Sequence, residues 1–419
     1  MSRILIFAEA VTLAHVARPI ALSRILSDLG HEVCIASAPA AHRWIPDESV
    51  SRVTIQSIES QTFLRALTRG TPAYDLATLK QYVADDLHAI GAWNPDVVIG
   101  DFRLSLYISS RLAGKPYGAI ANACWSRRYW PGVDAPTVSQ LRWLPRSLTD
   151  PLFRVAYPLA FALHALPFRQ ACRRFGVTPP RSDLRDIYTA SDLTAFADVE
   201  AFYEPWATGN DMHHFIGPLA WEVPGASPLP VIPEGPPVVF VSMGTSGSRS
   251  TLASVLEAVA GLPVRCIVAI GSAEPPPPLP SNCVHAAAFV AYGEACAQAA
   301  VVICNGGAPA VYAALANGCG IIAIPENLDQ ILNTRALARA CDARSLIRRV
   351  VPRARAIVET IRTIIAASAA DAHAVTRGRE YTLAAMADDH ERVAQWLRSL
   401  LEIGPPKRPS EGSAPRQPT

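Results

Sequence analysis

The chain contains 419 residues, half of them apolar, and is long enough to bury two hydrophobic cores. Its 38 lysine and arginine residues nearly balance its 36 aspartate and glutamate residues, which excludes the basic surface that a nucleic-acid partner requires. No apolar run reaches about 18 residues, which argues against a transmembrane helix. We therefore expect a soluble protein of two domains, with no nucleic-acid partner and no stable membrane insertion.

Short apolar runs alternate with stretches of helical spacing in the first half of the chain. Strands are predicted over 3–8, 31–37, 95–101 and 116–122. Helices are predicted over 19–30, with Pro19 at the start, and over 105–114, while 139–178 is helical in composition. Short apolar strands separated by helices indicate a parallel sheet that is covered on both faces.

The N-terminal run and the cysteines both indicate a cytoplasmic protein. The sequence MSRILIFAEA carries one basic residue and leads straight into a periodic pattern, so it reads as a first strand and not as a signal peptide. The nine cysteines form no C-x-x-C pair, and several of them lie within apolar runs. Buried free thiols in a reducing compartment are the expected result.

A stretch with seven prolines, GPLAWEVPGASPLPVIPEGPP at 217–237, can continue neither a helix nor a sheet. We interpret it as a linker between a first domain at 1–216 and a second domain at 238–376. Six further strands are predicted after it, at PVVFVSMG, VRCIVAI, VHAAAF, AVVIC, GIIAIP and SLIRR. A last helix over 377–402 is expected to pack back on the first domain, and the proline-rich tail at 403–419 is expected to be disordered.

Two strands of the second half end in residues that suit a ligand. VVIC runs into Gly306 and Gly307, which allow close approach of backbone N–H groups, and a helix beginning near Pro309 directs its positive end there. GIIAIP is followed by Asp329 and Gln330, which together can hydrogen-bond adjacent hydroxyls of a sugar. The alternative for this pair is a charge at a helix N-terminus.

Taken together, the pattern strand–NGG–helix–strand–P-x-x-x-DQ-x-x-N resembles the nucleotide-sugar signature of the family 1 glycosyltransferases. The resemblance covers most of the chain and implies the GT-B fold, in which two Rossmann-like doubly wound domains face each other across a cleft. It implies that 1–216 binds the acceptor and that 238–376 binds the nucleotide sugar. It further implies a UDP- or dTDP-sugar as co-substrate and no other cofactor. The implied donor contacts are Gly244, Thr245, Phe289, Val290, Asn305, Gly306, Gly307, Ala308, Asp329, Gln330 and Asn333.

Two of these positions depart from the family pattern. A histidine usually precedes the Gly-Gly pair where this chain has Asn305, and a serine or threonine is common where it has Ala308. The backbone and the Asn305 amide would then hold the phosphates. Gly244 and Thr245 belong to VSMGTSGS, for which a plain Gly/Ser-rich turn is an equal alternative.

The chemistry of sugar transfer and the same resemblance both predict a catalytic pair of residues. Transfer to a hydroxyl needs a base for the acceptor proton, and His15 lies in the loop after the first strand, where the family places its catalytic histidine. Asp101 ends another strand and can orient the imidazole, although capping of the following helix is an alternative role for it. No D-x-D motif occurs, which predicts an inverting transfer without a metal ion.

The acceptor is expected beside CWSRRYWPG, at 124–132, in which an aromatic ring could stack on a flat aglycone and an arginine could meet a carboxylate. The candidates are Trp125, Arg127, Tyr129 and Trp130. The same side chains could equally pack the 139–178 helices. We expect a glycosyltransferase of natural-product metabolism, monomeric or homodimeric, acting on a small hydrophobic or aromatic acceptor. A UDP-sugar 2-epimerase on the same fold and a catalytically silent partner protein are the alternatives.

Overall fold

The computed structural model describes residues 1–45, 50–136, 138, 143–204, 214–271, 275–340, 344–345, 354–368 and 373–406. Two parallel β-sheets with helices on their faces make up this part of the chain, which confirms the two doubly wound α/β units expected from the sequence. Eight of the nine cysteines fall within these ranges, and all eight are free thiols.

The first sheet has seven strands, all parallel to their neighbours. They are β1 (Arg3–Ala8), β2 (Glu32–Ser37), β3 (Ser51–Thr54), β4 (Val97–Asp101), β5 (Tyr117–Ala121), β6 (Leu193–Phe196) and β7 (His214–Phe215). Their order across the sheet is β3-β2-β1-β4-β5-β6-β7, so the direction of the chain through the sheet reverses between β1 and β4. Ligands of open parallel sheets bind at such a reversal, beyond the carboxyl ends of the strands.

The helices of this half are α1 (Ala14–Asp28), α2 (Ser60–Arg69), α3 (Leu76–Trp93), α4 (Leu106–Ala113), α5 (Arg146–Arg174) and α6 (Leu184–Tyr188). The helix expected to begin at Pro19 begins five residues earlier, at Ala14. Proline removes only the hydrogen bond from its own nitrogen to the carbonyl four residues before it, so one turn can precede it. This extra turn carries His15.

The second sheet has six parallel strands and repeats the same plan. They are β8 (Val238–Ser242), β9 (Arg265–Ala269), β10 (Cys283–Ala287), β11 (Val301–Cys304), β12 (Gly320–Ala323) and β13 (Arg344–Ser345). The order β10-β9-β8-β11-β12-β13 reverses between β8 and β11. Its helices are α7 (Arg249–Ala260), α8 (Tyr292–Gln298), α9 (Ala308–Ala316), α10 (Leu328–Ala340) and α11 (Ala354–Ser368). The SLIRR strand is described only at 344–345, and the rest of that run lies outside the described residues.

The end of the chain returns to the first sheet through two helices where the sequence suggested one. α12 (His373–Ala387) packs against α9 of the second half, whereas α13 (Asp389–Ile403) packs against α1 and the strands β6 and β7. The single helix expected over 377–402 is therefore broken at Asp388, because its two parts cover different halves of the molecule. Most of the expected disordered tail, 407–419, lies outside the described residues.

Each face of the first sheet is covered by a separate apolar cluster. Ile4 and Ile6 belong to one cluster with Trp396 of α13, while their neighbour Leu5 belongs to the other with Ala89 of α3. A Cβ atom at Gly118 in β5 would lie 2.6 Å from the Trp396 ring, so glycine is needed there for the helix to approach the sheet. Within the ranges given above, no helix combines the length and the hydropathy needed to cross a lipid bilayer.

Candidate active site

A cavity of about 1260 Å³ is lined by residues that follow strands of both sheets. From the first half it receives His15, Asp101 and Asn122, and from the second half Gly307 and Asp329. The two strand-order reversals, β1/β4 and β8/β11, both open into it. Nearly all the residues expected to bind a donor therefore share one space with the expected catalytic pair.

His15 and Asp101 are hydrogen-bonded to each other in this cavity. β1 and β4 are paired with Ala8 opposite Asp101, so the loop that follows β1 brings α1 over the end of β4. His15 Nδ1 lies 2.8 Å from Asp101 Oδ1, and the Asp101 side chain is fully buried while that of His15 is 19% exposed. Because a carboxylate only accepts, Nδ1 carries the proton and Nε2 keeps a basic lone pair.

Arg18 also holds Asp101, and the sequence interpretation did not include it. Its Nε donates to Asp101 Oδ2 over 2.7 Å and its Nη2 donates to Asp101 Oδ1 over 2.8 Å, in the forked geometry of a guanidinium–carboxylate pair. Its Nη1 donates to Asn122 Oδ1. Burial alone would lower the pKa of Arg18, but the charge and hydrogen bonds of Asp101 raise it above its ordinary value. The signal available in the sequence was the helical i, i+3 spacing of His15 and Arg18.

The Phe102 ring forms the floor beneath the imidazole. The two rings stack with centroids 4.7 Å apart and planes 13° apart. Phe102 has a φ of 57°, one of two described non-glycine residues with a positive φ. A bulky side chain in that region is strained, and such strain is found mainly at functional sites.

The glycine loop of the second half has a fixed geometry. Gly306 has a φ of 80°, and a Cβ atom there would lie 2.3 Å from Thr334 Oγ1, so no other residue fits. Asn333 Nδ2 donates to the Gly306 carbonyl over 2.7 Å. Gly307 precedes Ala308, the first residue of α9. The backbone N–H groups at this helix start are suited to an anion such as a diphosphate.

Asn305 joins the glycine loop to the loop that follows β8. Its Nδ2 donates to the Met243 carbonyl over 2.8 Å, and its Oδ1 accepts from the Gly307 N–H over 3.0 Å. Gly244 has a φ of 62°, and a Cβ atom there would approach Asn305 Nδ2 to 3.1 Å. The Asn305 amide is thus used to fix the two loops, where the sequence interpretation gave it to the phosphates.

Gln330 lines the cavity and also supports a loop. Its Oε1 accepts from the N–H groups of Glu326 and Asn327 over 2.9 and 3.3 Å, and its Nε2 donates to Ser246 Oγ over 3.1 Å. Asp329 and Gln330 both line the cavity, and the expected carboxylate–amide pair remains a prediction. That expectation treated both side chains as free, although the turn before α10 needs an acceptor for its own N–H groups.

Asp329 is contacted by a side chain from the first half. Trp125 Nε1 donates to Asp329 Oδ1 over 2.7 Å, and both residues line the cavity. Of the four expected acceptor residues, Trp125 alone lies there. Tyr129 is buried against Phe196 and Phe215, so the packing alternative holds for it.

The other two expected acceptor residues are used elsewhere. Arg127 forms ion pairs with Asp183 and Asp186, at 3.1 and 3.4 Å. Trp130 packs against Phe161 and stacks with the Arg185 guanidinium, which lies 4.5 Å from the ring centroid. The arginine candidate and two of the three aromatic candidates therefore serve the fold around α5 and α6.

The remaining donor candidates lie along the second half of the cavity. Phe289 meets Trp44 of the first half edge to face at 5.1 Å, and Val290 is buried next to it. Thr245 and Ala308 also line the cavity. In the part of the chain that the structure describes, no three His, Cys, Asp or Glu side chains are grouped to hold a metal ion.

A buried hydrogen bond joins the two halves behind the cavity. The Tyr312 hydroxyl of α9 donates to Asp198 Oδ1 over 2.7 Å, and the Ala123 N–H donates to Asp198 Oδ2 over 2.6 Å. Burial raises the pKa of Asp198 to about 6, although these hydrogen bonds act in the opposite direction. A second link, at the rim, is the ion pair of Arg335 with Asp134 at 2.8 Å.

Known proteins resemble this chain over most of its length. The PGL/p-HBAD biosynthesis glycosyltransferase of Mycobacterium tuberculosis H37Ra is 38% identical over 344 residues, covering 81% of this chain and 79% of that protein. The PGL/p-HBAD biosynthesis rhamnosyltransferase of Mycobacterium bovis BCG is 38% identical over 340 residues, covering 81% and 75%. A Mycobacterium bovis BCG protein named an inactive PGL/p-HBAD biosynthesis glycosyltransferase is 36% identical over 263 residues, covering 61% and 70%. No protein-family model matches the chain.

Solved structures share the fold. The spinosyn forosaminyltransferase SpnP aligns with a TM-score of 0.66 over 96% of this chain and 99% of that chain, at 16% identity. The calicheamicin glycosyltransferase CalG4 aligns with a TM-score of 0.66 over 96% and 99%, at 18% identity. The spinosyn rhamnosyltransferase SpnG complexed with thymidine diphosphate aligns with a TM-score of 0.64 over 96% and 100%, at 17% identity. At this level of identity the likeness concerns the arrangement of the two sheets.

Proposed function

Since the chain belongs to the GT-B glycosyltransferases that include the PGL/p-HBAD biosynthesis enzymes, we propose for it an inverting sugar transfer that needs no metal ion. The donor is a nucleoside-diphosphate sugar with uridine or deoxythymidine as its nucleoside. The acceptor is a hydroxyl of a small hydrophobic or aromatic molecule. The hydrogen-bonded pair of His15 and Asp101 in the cavity carries this proposal.

His15 is the general base of the proposed reaction. Its Nε2 takes the proton of the acceptor hydroxyl while that oxygen forms a bond to the anomeric carbon from the side opposite the leaving group. The bond from the anomeric carbon to the diphosphate oxygen breaks, and the nucleoside diphosphate leaves with the electron pair. Asp101 holds the proton on Nδ1 and stabilises the imidazolium that forms, and Arg18 holds Asp101 in place.

The glycine loop is the proposed diphosphate site. Gly306 and Gly307 leave the backbone N–H groups at the start of α9 open to the cavity, and the helix dipole adds to their attraction for an anion. These groups would stabilise the charge that develops on the leaving diphosphate, as an oxyanion hole does. The spinosyn rhamnosyltransferase that binds thymidine diphosphate has the same fold, which supports a deoxythymidine donor as one of the two options.

The acceptor is proposed to lie in the part of the cavity enclosed by aromatic rings. Trp125, Phe63, Phe102, Phe161 and Tyr188 all line it. Their flat apolar surfaces suit an aromatic or polyketide-like aglycone, and the acceptor hydroxyl would then reach His15 above Phe102. This set replaces Arg127, Tyr129 and Trp130 as the proposed acceptor residues.

The test is release of nucleoside diphosphate from a panel of UDP- and dTDP-sugars, with and without phenolic and polyketide acceptors. We expect acceptor-dependent release and a single glycoside whose anomeric configuration is inverted. A protein that binds the donor but releases no diphosphate with any acceptor would instead be the catalytically silent partner. The intact His15–Asp101–Arg18 arrangement argues against that alternative.

A further inference from the structure

One long helix carries a row of large apolar side chains on the outside of the molecule. Six residues of α5 are between 45% and 81% exposed, and they are Leu148, Leu152, Val155, Leu159, Leu163 and Leu166. Single exposed apolar residues are ordinary on protein surfaces, but a contiguous row marks a site of interaction.

The six residues form one narrow face. At 3.6 residues per turn they fall within an arc of about 80° and extend over about 27 Å of the helix. Phe161, Phe168 and Cys172, which are buried against the protein, lie on the opposite side of α5. The exposed row thus points away from the molecule, and the helix is apolar on two sides.

The charges on α5 are almost all positive. Its basic residues are Arg146, Arg154, Arg169, Arg173 and Arg174, and its one acidic residue is Asp150. Arg173 and Arg174 are exposed, stand at the C-terminal end of the row, and form no salt bridge with any residue that the structure describes. Trp143, which is 78% exposed, lies just before the helix at the other end of the row.

The row lies next to the proposed acceptor cavity. Phe153, Phe161 and His164 of α5 line that cavity, and Trp143 both lines it and is exposed. Leu64 and Leu67 of α2 line it as well. A surface on which the row of α5 is seated would therefore be close to the cavity.

We propose that the exposed row of α5 binds the surface of an anionic lipid bilayer. A narrow apolar face with arginines at one end and a tryptophan at the other has the features of helices that lie in the headgroup region. Apolar side chains enter the boundary of the acyl chains, and the arginines meet anionic headgroups. The binding is peripheral and does not depend on the proposed sugar transfer.

The composition of α5 disfavours a second copy of this chain as the occupant. Two such helices would bring like charges together, whereas anionic headgroups attract them. The positions flanking the row include Pro151, Ala156, Pro158 and Ala160. In paired helices, opposite charges at the flanking positions determine which helix binds and in which register. α5 has no pair of opposite charges at these positions.

The experiment is co-sedimentation of the full chain with phosphatidylcholine vesicles that either contain or lack phosphatidylglycerol. We expect binding to the anionic vesicles that weakens as salt is added. The double variant Leu152→Ser/Leu159→Ser should reduce the partition coefficient by at least about tenfold, because each leucine loses the gain of burial in the bilayer. Arg173→Gln and Arg174→Gln should each reduce it by about fivefold.

Val231→Ser is the matched control, since Val231 is 90% exposed but lies in the 217–237 segment and should leave binding unchanged. The melting temperatures of all variants should match that of the parent, because the substituted side chains are exposed. Absence of binding to anionic vesicles, or equal binding by the double-leucine variant, would overturn the proposal. So would a concentration-dependent dimer in vesicle-free buffer that the double-leucine substitution abolishes.

Discussion

The indole N–H of Trp125 donates a hydrogen bond of 2.7 Å to the Asp329 carboxylate, and the two residues belong to opposite halves of the molecule. Trp125 follows β5 of the first sheet, and Asp329 lies in the first turn of α10 behind β12 of the second. The side chain proposed to read the donor sugar is thus oriented by one that lines the acceptor part of the cavity. A substitution of either residue should therefore affect the binding of both the donor and the acceptor.

Trp125→Phe should reduce sugar transfer and leave affinity for the bare nucleoside diphosphate unchanged. The substitution keeps an aromatic ring but removes one hydrogen bond to a charged group, which contributes roughly 1.5 to 3 kcal/mol, or about ten- to a hundredfold in kcat/KM. Calorimetric titration with the diphosphate and with the intact donor separates the two effects. Asp329→Ala should likewise reduce sugar transfer and leave the affinity for the diphosphate unchanged. Trp130→Phe is the control, since Trp130 packs outside the cavity. Equal losses for diphosphate and donor would show that Asp329 does not read the sugar.

His15→Ala should lower kcat by roughly two to four orders of magnitude, which is the usual contribution of a general base. Donor affinity should hardly change, because His15 lies on the acceptor side of the cavity. Steady-state kinetics with a saturating donor, together with a donor titration, measure both quantities. His88→Ala, which changes an exposed histidine of α3, should match the parent. Full turnover by His15→Ala with a competent acceptor would contradict the assignment.

Arg18→Gln should impair catalysis through the position of Asp101. Loss of the guanidinium fork removes two hydrogen bonds from a fully buried carboxylate and leaves its charge uncompensated, so stability should fall by about 3 to 5 kcal/mol. Without the fork, Asp101 is held less firmly against His15 Nδ1, so kcat should fall while the affinity for the donor hardly changes.

Arg18→Lys tests this role more gently, because it keeps the charge and loses the fork. It should restore most of the stability, and its kcat should lie between those of the parent and of Arg18→Gln. A purely structural role for Arg18 predicts a lower melting temperature with an unchanged kcat, and that result would contradict the positioning role.

Asp198 should make the protein less stable as the pH rises from about 4 to about 6. Its pKa is raised to about 6 in the folded state, so the folded protein binds more protons than the unfolded chain over this range. The associated stability is present at low pH and is lost as the pH passes the folded pKa, by roughly 3 kcal/mol in all. Asp198→Asn should flatten this part of the melting-temperature profile. An equal slope in parent and variant would show that Asp198 does not titrate as proposed.

Chelators should leave sugar transfer unaffected. The diphosphate is proposed to be held by the backbone N–H groups of Ala308 and Ala310 at the start of α9, which need no bridging cation. Initial rates after treatment with EDTA, and after addition of magnesium or manganese, should be equal. A strict requirement for either ion would contradict the metal-independent mechanism.

Much of the fold follows from the apolar runs. β1, β4 and β11 are buried on both faces, so each appears in the sequence as a continuous apolar run with a clear end. β3 could not be predicted in this way, because Ser51–Thr54 is a largely exposed edge strand that is defined by pairing with β2. The break at Asp388 could not be predicted either, because the helical composition continues through it. The break arises because the two helices pack against different halves of the molecule.

The site was partly predictable for a related reason. His15 follows β1 and Asp101 ends the adjacent strand β4 at the reversal of strand order, so topology alone brings them together. The role of Gln330 depends on the N–H groups of a turn whose shape is absent from the sequence. An aromatic cluster has the same composition whether it lines a cavity or fills a core, and for that reason Trp125 and Tyr129 could not be told apart.

The backbone strain at Phe102 lowers the stability of the folded protein. Its backbone has a φ of 57°, a conformation that only glycine adopts without penalty, and such strain is worth about 1 to 3 kcal/mol. Glycine at this position would relieve the strain and would also remove the ring beneath His15. Selection for heat resistance alone would therefore favour losing the aromatic side chain, whereas selection for turnover would keep it. At position 102, thermostability therefore favours glycine, whereas activity favours phenylalanine.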